Sequence, residues 1–593
     1  MLINRKTIIF ACVLWICSLC ACNDTVSVES KQGMAGNETI AASLDIKESD
    51  AAQPEDEQPD AVLEGEEEEE IPDYTEEDLV DFEPEQLFSY CINPVCVYDP
   101  AGTQLIFEMS FENGIPKSDD DLFYLFEIAS YENESELNDK EPVAITAKGK
   151  KVTFVLPYED RYLFERFVPA LYSEGEYYPL SYGQNLNNPQ ELAVNTSDYP
   201  EIGTKKGILL DGNSIGTERL DNLNVKRLVY NIPLSLILGE TSNPEHPTIE
   251  YEYNGEIYQF NGYYCMVYDS LFSYLTEQGY YCTAIVLNDW NKQFPEMIHP
   301  LSRKRTSRSK YYAFNTEEED GVRHMEAAAR FLAERYSCGE HGMVYDWVIA
   351  NEINQHNIWN YMETTDLEYY TESFEKSFRT FYNAVKASYS HANVYFSLDQ
   401  YWNNNGGYNN RCFNGRDILY EFNELAQKHG NYDWGLSVHP YPVPLPKTRF
   451  WTGEFDKTEE AKFLTPMNLS ACTDIMTKPE FLNTNGEVRS IAITELGFCS
   501  KAGEKLQAAA FAYCYYIIDH NKYIDSFLMN RQTDDSEALK TGLSLGIYNR
   551  DNSVKYILDV FKNIDTEEGK DYLPEMLEII GADSLEEALE WAQ

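Results

Sequence analysis

The feature that most constrains the fold is a regular alternation of short apolar runs and longer amphipathic stretches between residues 205 and 563. The apolar runs have the length of buried strands, and the stretches between them have the length and period of helices. Predicted strands span residues 207–210, 225–232, 282–287, 344–350, 394–398, 434–438, 490–494 and 524–529. Strands joined by helices run parallel, and eight such units close into a barrel. The sequence therefore predicts an α/β fold, a (β/α)8 TIM barrel.

The stretches between the strands predict helices. They cover residues 214–222, 266–278, 322–336, 366–390, 416–428, 473–482 and 504–520, and another at 553–563 follows the last strand. In the longest, Tyr370, Phe374 and Phe378 recur on one face, as in a helix that packs against a core. Thr365 and Glu368 have the spacing of a capping box, so we expect Thr365 to cap the start of this helix.

Residues 87–200 have a different pattern, typical of an all-β domain. Short β-rich runs at residues 104–111, 122–128, 143–145, 151–156 and 167–171 are separated by turn formers such as Asn113-Gly114. Strands at this spacing predict a β-sandwich. The closing stretch, FVPALYSEGEYYPLS at 167–181, resembles the last hairpin of a fibronectin type III domain. That resemblance implies an immunoglobulin-like or fibronectin III-like sandwich, with a spacer or packing role favoured over sugar binding.

The first residues indicate export. A positive start at Arg5-Lys6 precedes an apolar run at 7–19 that is too short to span a membrane comfortably. The sequence that follows, Leu19-Cys20-Ala21-Cys22, resembles a bacterial lipoprotein cleavage box. The resemblance implies that Cys22 is lipidated and that the protein is extracellular, held on the bacterial cell membrane by a lipid anchor. The alternative is an ordinary secretory signal that is cut nearby.

The acidic composition limits which partners the protein can bind and predicts that one segment is disordered. The formal net charge is −54, whereas nucleic-acid binding requires Lys and Arg that displace counterions, so we expect no nucleic acid and no membrane contact beyond the anchor. Residues 23–86 hold an acidic run and no apolar period, which predicts a disordered tether.

The cysteines that follow the signal region do not form a zinc-binding pattern, because they include no CxxC pair that would indicate zinc. Cys91 and Cys96 could close a small loop.

Two predicted strands end in glutamate. The fourth strand delivers Asn351 and Glu352, and the seventh, SIAITELG at 490–497, ends in Glu495. Barrel enzymes place their chemistry at the carboxyl ends of the strands, so the two carboxylates should converge across the central cleft. A pair about 5–5.5 Å apart hydrolyses glycosides with retention of configuration, and a pair about 6.5–9.5 Å apart does so with inversion. The pair therefore indicates a glycoside hydrolase.

This arrangement resembles the clan A glycoside hydrolases, in which an Asn-Glu pair follows strand four and a second Glu follows strand seven. The resemblance implies Glu352 as acid/base, Glu495 as nucleophile and Asn351 as a contact to the sugar 2-hydroxyl. The chain is still more similar to a bacterial family known as domain of unknown function 5722. That likeness covers about residues 205–561 and depends on NIPLSLIL at 231–238, ANEIN at 350–354, SVHPYP at 437–442 and ITELG at 493–497. The family label implies no substrate.

Other polar and aromatic residues follow the predicted strands and should form the rim of the cleft. The predicted substrate contacts are His439, Tyr441, Asn231, Asn288, Trp290, Asp399, Trp402 and Arg531. In clan A, a His or an aromatic residue after strand six often touches the nucleophile, whereas a packed turn at residues 439–444 is the alternative. Clan A members usually carry an Arg near strand two and a Trp after strand eight. This chain has Asn231 and Arg531 at those positions, so the substrates of clan A enzymes are a weaker guide to the substrate of this protein than their chemistry is.

One basic run interrupts the acidic chain after the third strand. It consists of Arg303, Lys304, Arg305, Arg308 and Lys310. We hypothesise that it recognises an anionic sugar, although a solvated loop that neutralises nearby acidic surface is the favoured interpretation. The sequence contains no nucleotide-binding or HExxH motif, so we expect no cofactor and no catalytic metal; a structural calcium is left open.

The sequence thus predicts five segments and one function. The segments are a signal peptide (1–22), a tether (23–86), the sandwich (87–200), the barrel (201–568) and a helical appendage (569–593). The predicted function is retaining hydrolysis of an extracellular oligo- or polysaccharide by a monomer. The main alternative is a surface lipoprotein that binds glycans on a degenerate barrel without catalysis. A solute-binding lipoprotein for a transporter fits eight strand–helix units poorly.

Overall fold

The computed structural model describes residues 73–304 and 306–592. The predicted signal peptide, the lipidation of Cys22, most of the predicted tether and Arg305 lie outside the described residues. The last part of the tether prediction is wrong, because strand β1 (Leu79–Val80) pairs in parallel with strand β4 (Ile115–Pro116). Phe82 also packs on Tyr178. These few apolar residues find their partners only in the folded sandwich, so the local sequence did not predict their order.

Two antiparallel sheets form the predicted sandwich. One contains β2 (Ile92–Asp99), β3 (Gln104–Ser110) and β7 (Lys151–Pro157), and the other has the order β6 (Ala144–Ala147), β5 (Leu122–Ile128), β8 (Arg166–Ser173) and β9 (Glu176–Pro179). Alternate residues of β7 are buried, and Val152, Phe154 and Leu156 pack in one core with Phe123 of the other sheet. The all-β sandwich is confirmed, whereas its likeness to a fibronectin domain stays a prediction.

The cysteines of the sandwich are free thiols. Cys91 and Cys96 are both buried and are not bonded to each other. Burial raises the pKa of the Cys91 thiol to about 11. These cysteines therefore behave as small apolar core residues, as free buried cysteines commonly do.

Eight parallel strands close into the predicted barrel. In barrel order they are β10 (Lys206–Leu209), β11 (Arg227–Pro233), β14 (Tyr281–Leu287), β15 (Val344–Ile349), β16 (Asn393–Asp399), β17 (Gly435–His439), β18 (Ile491–Leu496) and β19 (Ile524–Met529). All eight predicted strands are present. A hairpin that was not predicted, β12 (Ile249–Tyr253) and β13 (Glu256–Phe260), is inserted after β11. Its turn contains Asn254-Gly255, a common hairpin signal.

Helices surround the barrel. They are α1 (Glu218–Asp221), α2 (Leu234–Ile237), α3 (Gly262–Glu277), α4 (Glu319–Ser337), α5 (Leu367–Ser388), α6 (Gly415–Lys428), α7 (Ser470–Met476), α8 (Glu504–Asp519), α9 (Ser536–Lys540), α10 (Ile557–Asn563), α11 (Leu573–Ile580) and α12 (Leu585–Glu590). The predicted capping residue of α5, Thr365, is wrong by one position, because Asp366 is the N-cap and accepts a hydrogen bond from the backbone N–H of Tyr369. None of the described helices is both long and apolar enough to cross a membrane.

The interior of the barrel has an apolar layer above a polar floor. The apolar layer consists of Val229, Ile285, Leu287, Val348, Tyr395, Ala492 and Leu528. Two residues below Val348, the carboxylate of Asp346 accepts hydrogen bonds from Asn393 at 2.9 Å and from the Tyr199 hydroxyl at 3.0 Å. Arg227 lies 3.8 Å from the same carboxylate. Tyr199 belongs to the segment that enters the barrel, so this segment seals the floor opposite the strand ends that carry the candidate site.

Replacing Tyr199 with Phe should lower the stability of the barrel. The change removes a hydrogen bond to a charged group, worth about 1.5–3 kcal/mol, so the midpoint of thermal unfolding should fall by several degrees. Differential scanning calorimetry would measure this shift. Tyr345→Phe is the matched control, since the Tyr345 ring lies 6.1 Å from that of Tyr199 but makes no hydrogen bond to Asp346. Equal midpoints for the two variants would contradict the role of the Tyr199 hydroxyl.

Buried charges join the sandwich to the barrel. Arg323 of α4 lies 2.9 Å from Glu165, which directly precedes β8, and 2.9 Å from Glu326 of its own helix. The hydroxyl of Tyr253 in the inserted hairpin donates to Glu326 at 2.8 Å. On the other side of the contact, His429 after α6 lies 3.0 Å from the carbonyl of Gly183. The sandwich therefore packs on the helices at the side of the barrel.

Candidate active site

The turn that follows β15 presents Glu352 at the mouth of the barrel. Ala350 and Glu352 both have positive φ angles, 63° and 40°, a conformation that costs energy for residues other than glycine. The turn is fastened to β16: the backbone N–H of Glu352 donates to the Ser397 hydroxyl at 2.8 Å, and that of Ile353 donates to the Ser397 carbonyl at 3.0 Å. Backbone strain maintained by specific hydrogen bonds is a common feature of functional sites.

A carboxylate at the end of β16 holds the same turn from below. Asp399 accepts hydrogen bonds from the side-chain amides of Asn354 at 2.6 Å and Gln355 at 2.8 Å. The backbone N–H of Tyr401 donates to it at 2.8 Å. Both carboxylate oxygens of Asp399 are therefore occupied by protein groups. Asp399 positions the Glu352 turn, and its direct contact with the substrate stays a prediction.

A chain of polar groups inside the barrel mouth orients Glu352. His439, at the end of β17, lies with Nδ1 3.0 Å from Glu352 Oε1 and with Nε2 3.0 Å from Thr494 Oγ1. Thr494 in turn shares a hydrogen bond with the Ser437 hydroxyl. His439, Thr494 and Ser437 are buried, so the imidazole ring is confined between the carboxyl group and the threonine.

A second set of donors holds Glu495. The Tyr441 hydroxyl donates to Glu495 Oε1 at 2.8 Å, and the Asn530 amide donates to the same oxygen at 2.9 Å and to the Tyr441 oxygen at 2.8 Å. Asn530 directly follows β19. His439, the last residue of β17, and Tyr441, two residues further on, each contact one of the two glutamates. The structure therefore brings the two predicted carboxylates, His439 and Tyr441 together in a single site.

The surroundings of Glu352, His439 and Tyr441 shift the pKa values of these groups. The pKa of Glu352 is raised to about 7, chiefly by burial. The negative charges of Asp399 and Glu495 act in the same direction, and the hydrogen bond with His439 acts against them. Burial alone would lower the pKa of His439, but its hydrogen bond with Glu352 and the nearby carboxylates leave that pKa above the usual value. Burial, followed by the charge of Glu495, raises the pKa of Tyr441 far above its usual value, so Tyr441 remains a hydroxyl donor.

Several predicted rim residues remain accessible to a ligand. Asn351 is half-buried beside Glu352, and its side chain makes no hydrogen bond to any other residue that the structure describes. Asn231 is half-buried and occupies an inward-facing position of β11, two residues above Val229. Trp290 is half-buried and packs edge-on against Tyr312. The guanidinium of Arg531 lies 3.6 Å from Asp535 and is partly exposed.

Two other predicted contacts are corrected by the structure. Asn288 is 3% exposed, and its amide donates to the carbonyls of Met297 at 3.1 Å and Ala313 at 3.3 Å, so it fastens the loop after β14. Trp402 is 0% exposed and belongs to the main core. Both residues stand at strand ends, as predicted, but their side chains are turned into the protein.

The predicted basic run is partly neutralised by acidic neighbours. Arg303 pairs with Glu318, and Lys304 lies 3.0 Å from Glu363. Those contacts agree with the favoured interpretation, a loop that neutralises nearby acidic surface. Arg308 and Lys310 are exposed.

Four residues that support Glu352 were not predicted from the sequence. They are Ser397, Ser437, Thr494 and Asn354. Ser397, Ser437 and Thr494 occupy inward-facing positions of their strands, in phase with the apolar layer below. Polar residues at such positions near a strand end are the signal that could have identified them, since buried hydroxyl groups need partners. Within residues 73–304 and 306–592, no group of three or more His, Cys, Asp or Glu side chains is arranged to hold a metal ion.

Several solved structures of glycoside hydrolases are similar to this chain. A family 39 glycoside hydrolase from Bacteroides cellulosilyticus is 14% identical, with 76% of this chain and 79% of that chain covered and a TM-score of 0.43. An intracellular xylanase from Thermoanaerobacterium saccharolyticum is 12% identical, with 61% and 95% covered and a TM-score of 0.36. A β-glucuronidase from Bacteroides uniformis is 10% identical, with a TM-score of 0.34; 80% of this chain is covered, and the chain spans about half (49%) of that protein.

The sequence comparisons give one family. No curated protein matches this chain. A family model described as a family of unknown function, DUF5722, matches residues 198–588, a span that contains the whole barrel and both candidate glutamates. The chain therefore belongs to the DUF5722 family.

Proposed function

We propose that this protein is a retaining glycoside hydrolase, with Glu352 as the acid/base and Glu495 as the nucleophile. The observation that carries the proposal is the contrast between two carboxyl groups at one barrel mouth. Glu352 has a pKa raised to about 7 and can therefore hold a proton near neutral pH. Glu495 accepts hydrogen bonds from Tyr441 and Asn530, an arrangement that suits an anion. Two carboxyl groups in such different environments are suited to the roles of acid and nucleophile.

The proposed reaction has two steps. In the first, a carboxylate oxygen of Glu495 attacks the anomeric carbon, and the glycosidic carbon–oxygen bond breaks. The leaving oxygen takes the bonding electron pair together with the proton of Glu352, which leaves a sugar ester on Glu495. In the second, ionised Glu352 takes a proton from water, the water oxygen attacks the anomeric carbon, and the ester bond breaks. Both carboxyl groups then return to their starting states.

The residues around Glu352 and Glu495 fit this order of reaction steps. The clamp on the Glu352 turn, made by Ser397 and Asp399, fixes the acid before the substrate arrives. Asn351 has a side chain without partners among the described residues and stands beside the acid, so we propose it as the contact to the 2-hydroxyl of the sugar. We also propose that the enzyme acts as an extracellular monomer held to the membrane through lipidated Cys22, with an oligo- or polysaccharide as its substrate.

The stereochemistry of hydrolysis tests the proposed roles. The wild-type protein would be screened on 4-nitrophenyl glycosides and on neutral and acidic polysaccharides, and the first product anomer would be followed by proton NMR. Retention is expected. Inversion would reassign Glu495 as the base that activates water. If the wild type binds a glycan without hydrolysing it, and Glu495→Gln binds that glycan equally well, the protein is a non-catalytic glycan-binding protein and the proposed hydrolase is wrong.

Two substitutions beside Glu352 should move the basic limb of the pH profile in opposite directions. The limb reports the loss of the Glu352 proton, so activity should fall as the pH rises through about 7. His439→Phe removes a hydrogen bond that stabilises ionised Glu352, so the pKa and the limb should move to higher pH. Asp399→Asn removes a negative charge that disfavours ionised Glu352, so the pKa of Glu352 should fall and the basic limb should move to lower pH.

Profiles of kcat/KM against pH would measure both shifts. Glu252→Gln is a suitable control, because Glu252 is exposed on the inserted hairpin, and its profile should match that of the wild type. Shifts of the two variants in the same direction would contradict the assignment of Glu352 as the acid.

A further inference from the structure

A cleft with a volume of about 430 Å³ opens in the long loop that follows β17. Its wall begins with Pro442 and Val443, the two residues directly after Tyr441. Tyr441 donates its hydroxyl hydrogen to Glu495, so the chain that lines the cleft leaves directly from a residue of the candidate site. The volume lies within the range of roughly 300–1,000 Å³ found for ligand sites. The cleft is therefore large enough for a ligand, and its wall continues from the residue that holds Glu495.

Backbone pairing ties the far wall of the cleft to the loop after β16. The N–H of Leu464 donates to the carbonyl of Gln400 at 2.9 Å, and the N–H of Asn403 donates to the carbonyl of Lys462 at 3.1 Å. Gln400 directly follows Asp399, which holds the Glu352 turn. The cleft thus lies in the loop that leaves β17, and this loop pairs with the loop that leaves β16, on the same face of the barrel as Glu352 and Glu495.

The lining of the cleft suits a sugar ring. Phe455 and Phe463 are half-buried and line it, so part of each ring is accessible. The Phe463 ring is held edge-on against Tyr401, with 5.3 Å between ring centroids, and Leu464 next to it is fixed by the backbone pairing. A rigid aromatic side chain offers a large contact area at low entropic cost, and the C–H face of a pyranose packs on such a surface.

The charges around the cleft balance. Lys447 and Lys462 supply two positive charges, and the exposed carboxylates Glu454 and Asp456 supply two negative ones. The remaining acid of the lining, Glu460, forms an ion pair with Arg416. A polyanion would gain no net attraction from this wall, whereas the hydroxyl groups of a neutral sugar can accept from ammonium groups and donate to carboxylates.

We propose that this cleft is a subsite for further units of a neutral oligosaccharide whose scissile bond lies between Glu352 and Glu495. The inference rests on the proposed function and deepens it: the substrate is a chain of uncharged sugars rather than a monosaccharide glycoside or an acidic polymer. Phe463 forms the stacking surface, and the loop that carries Tyr441 links the subsite to the nucleophile.

Binding of defined oligosaccharides tests the subsite. Glu495→Gln would serve as the parent protein, so that a bound chain is not cleaved, and isothermal titration calorimetry would be run with cellohexaose, xylohexaose, mannohexaose and polygalacturonate. At least one neutral hexasaccharide should bind, and polygalacturonate should not. Adding Phe463→Ala should weaken that binding at least tenfold.

Two further variants separate stacking from folding. Phe463→Leu keeps much of the apolar volume but removes the ring face, so it should weaken binding by a similar factor while its thermal midpoint stays near that of the parent. Tyr408→Ala removes an aromatic side chain that is 58% exposed and lies outside the cleft lining, so binding should be unchanged. Equal affinities of the parent and both Phe463 variants would overturn the subsite, as would preferential binding of polygalacturonate or the failure of every neutral hexasaccharide to bind.

Hydrolysis by the wild-type protein distinguishes this inference from the proposed function. If the wild type cleaves a hexasaccharide and the Phe463 variants cleave it with the same KM, the function stands and the subsite is wrong. If nothing is cleaved but the hexasaccharide binds and depends on Phe463, the subsite stands and the proposed hydrolase is wrong.

Discussion

Replacing Glu495 with Gln is expected to lower kcat/KM for glycoside hydrolysis by on the order of 10⁵-fold or more, the size of effect seen when an enzyme loses its nucleophile. The amide has nearly the same shape and can still accept hydrogen bonds from Tyr441 and Asn530, so the fold and the glycan affinity should be retained. It cannot attack the anomeric carbon to form an ester. Initial rates on a 4-nitrophenyl glycoside and on the natural glycan would measure the loss.

The exposed Glu252→Gln supplies the control for this variant and should retain wild-type rates. Glu495→Ala offers a second measurement, because the shortened side chain leaves room for a small anion. Added azide should then restore turnover of an aryl glycoside and yield a glycosyl azide of inverted configuration. Activity of Glu495→Gln within tenfold of the wild type would exclude Glu495 as the nucleophile.

Replacing Glu352 with Gln should remove general acid and base catalysis and lower kcat/KM by about 10²–10⁴-fold on a glycan. The loss should be smaller for a 4-nitrophenyl glycoside, because 4-nitrophenolate leaves without needing a proton. The second step still requires a base, so the sugar ester on Glu495 should accumulate with that substrate. Comparison of the two leaving groups in steady-state and burst kinetics is the measurement.

The pH profile supplies an independent check on Glu352. The wild-type profile should fall above about pH 7, where Glu352 loses its proton, and this limb should be absent in Glu352→Gln. A basic limb that persists unchanged in the variant would show that another group is the acid. The glycan is the better substrate for this comparison, because its leaving oxygen needs the proton of Glu352, whereas 4-nitrophenolate does not.

Much of the site follows from the sequence because strand periodicity is a local property. An apolar run that ends in Asn351-Glu352, and another that ends in Glu495, place their last residues at one face of any parallel barrel. The same rule placed His439 and Tyr441 near them. The floor formed by Tyr199 and Asp346 was not predicted, because its members are 147 residues apart and meet only when the barrel closes.

Position at a strand end did not determine where each side chain points. Asn288 and Trp402 were predicted to reach the cleft, yet both are buried in the loops that follow their strands. Asp399, which was predicted as a substrate contact, holds Asn354 and Gln355, a role that its position at a strand end did not indicate. A strand has a fixed period of two, but a loop has none, so burial in a loop depends on which carbonyls and apolar groups the rest of the chain brings near.

The sequence by itself determined the architecture, the positions of Glu352 and Glu495 and the family to which the chain belongs, because buried strands, helices and short motifs are encoded by neighbouring residues. Only the tertiary structure decided what makes the two glutamates different. His439 reaches Glu352, and Tyr441 and Asn530 reach Glu495, across separations of 87, 54 and 35 residues. Burial and neighbouring charge set the pKa of a carboxyl group, and both exist only after distant strands have come together.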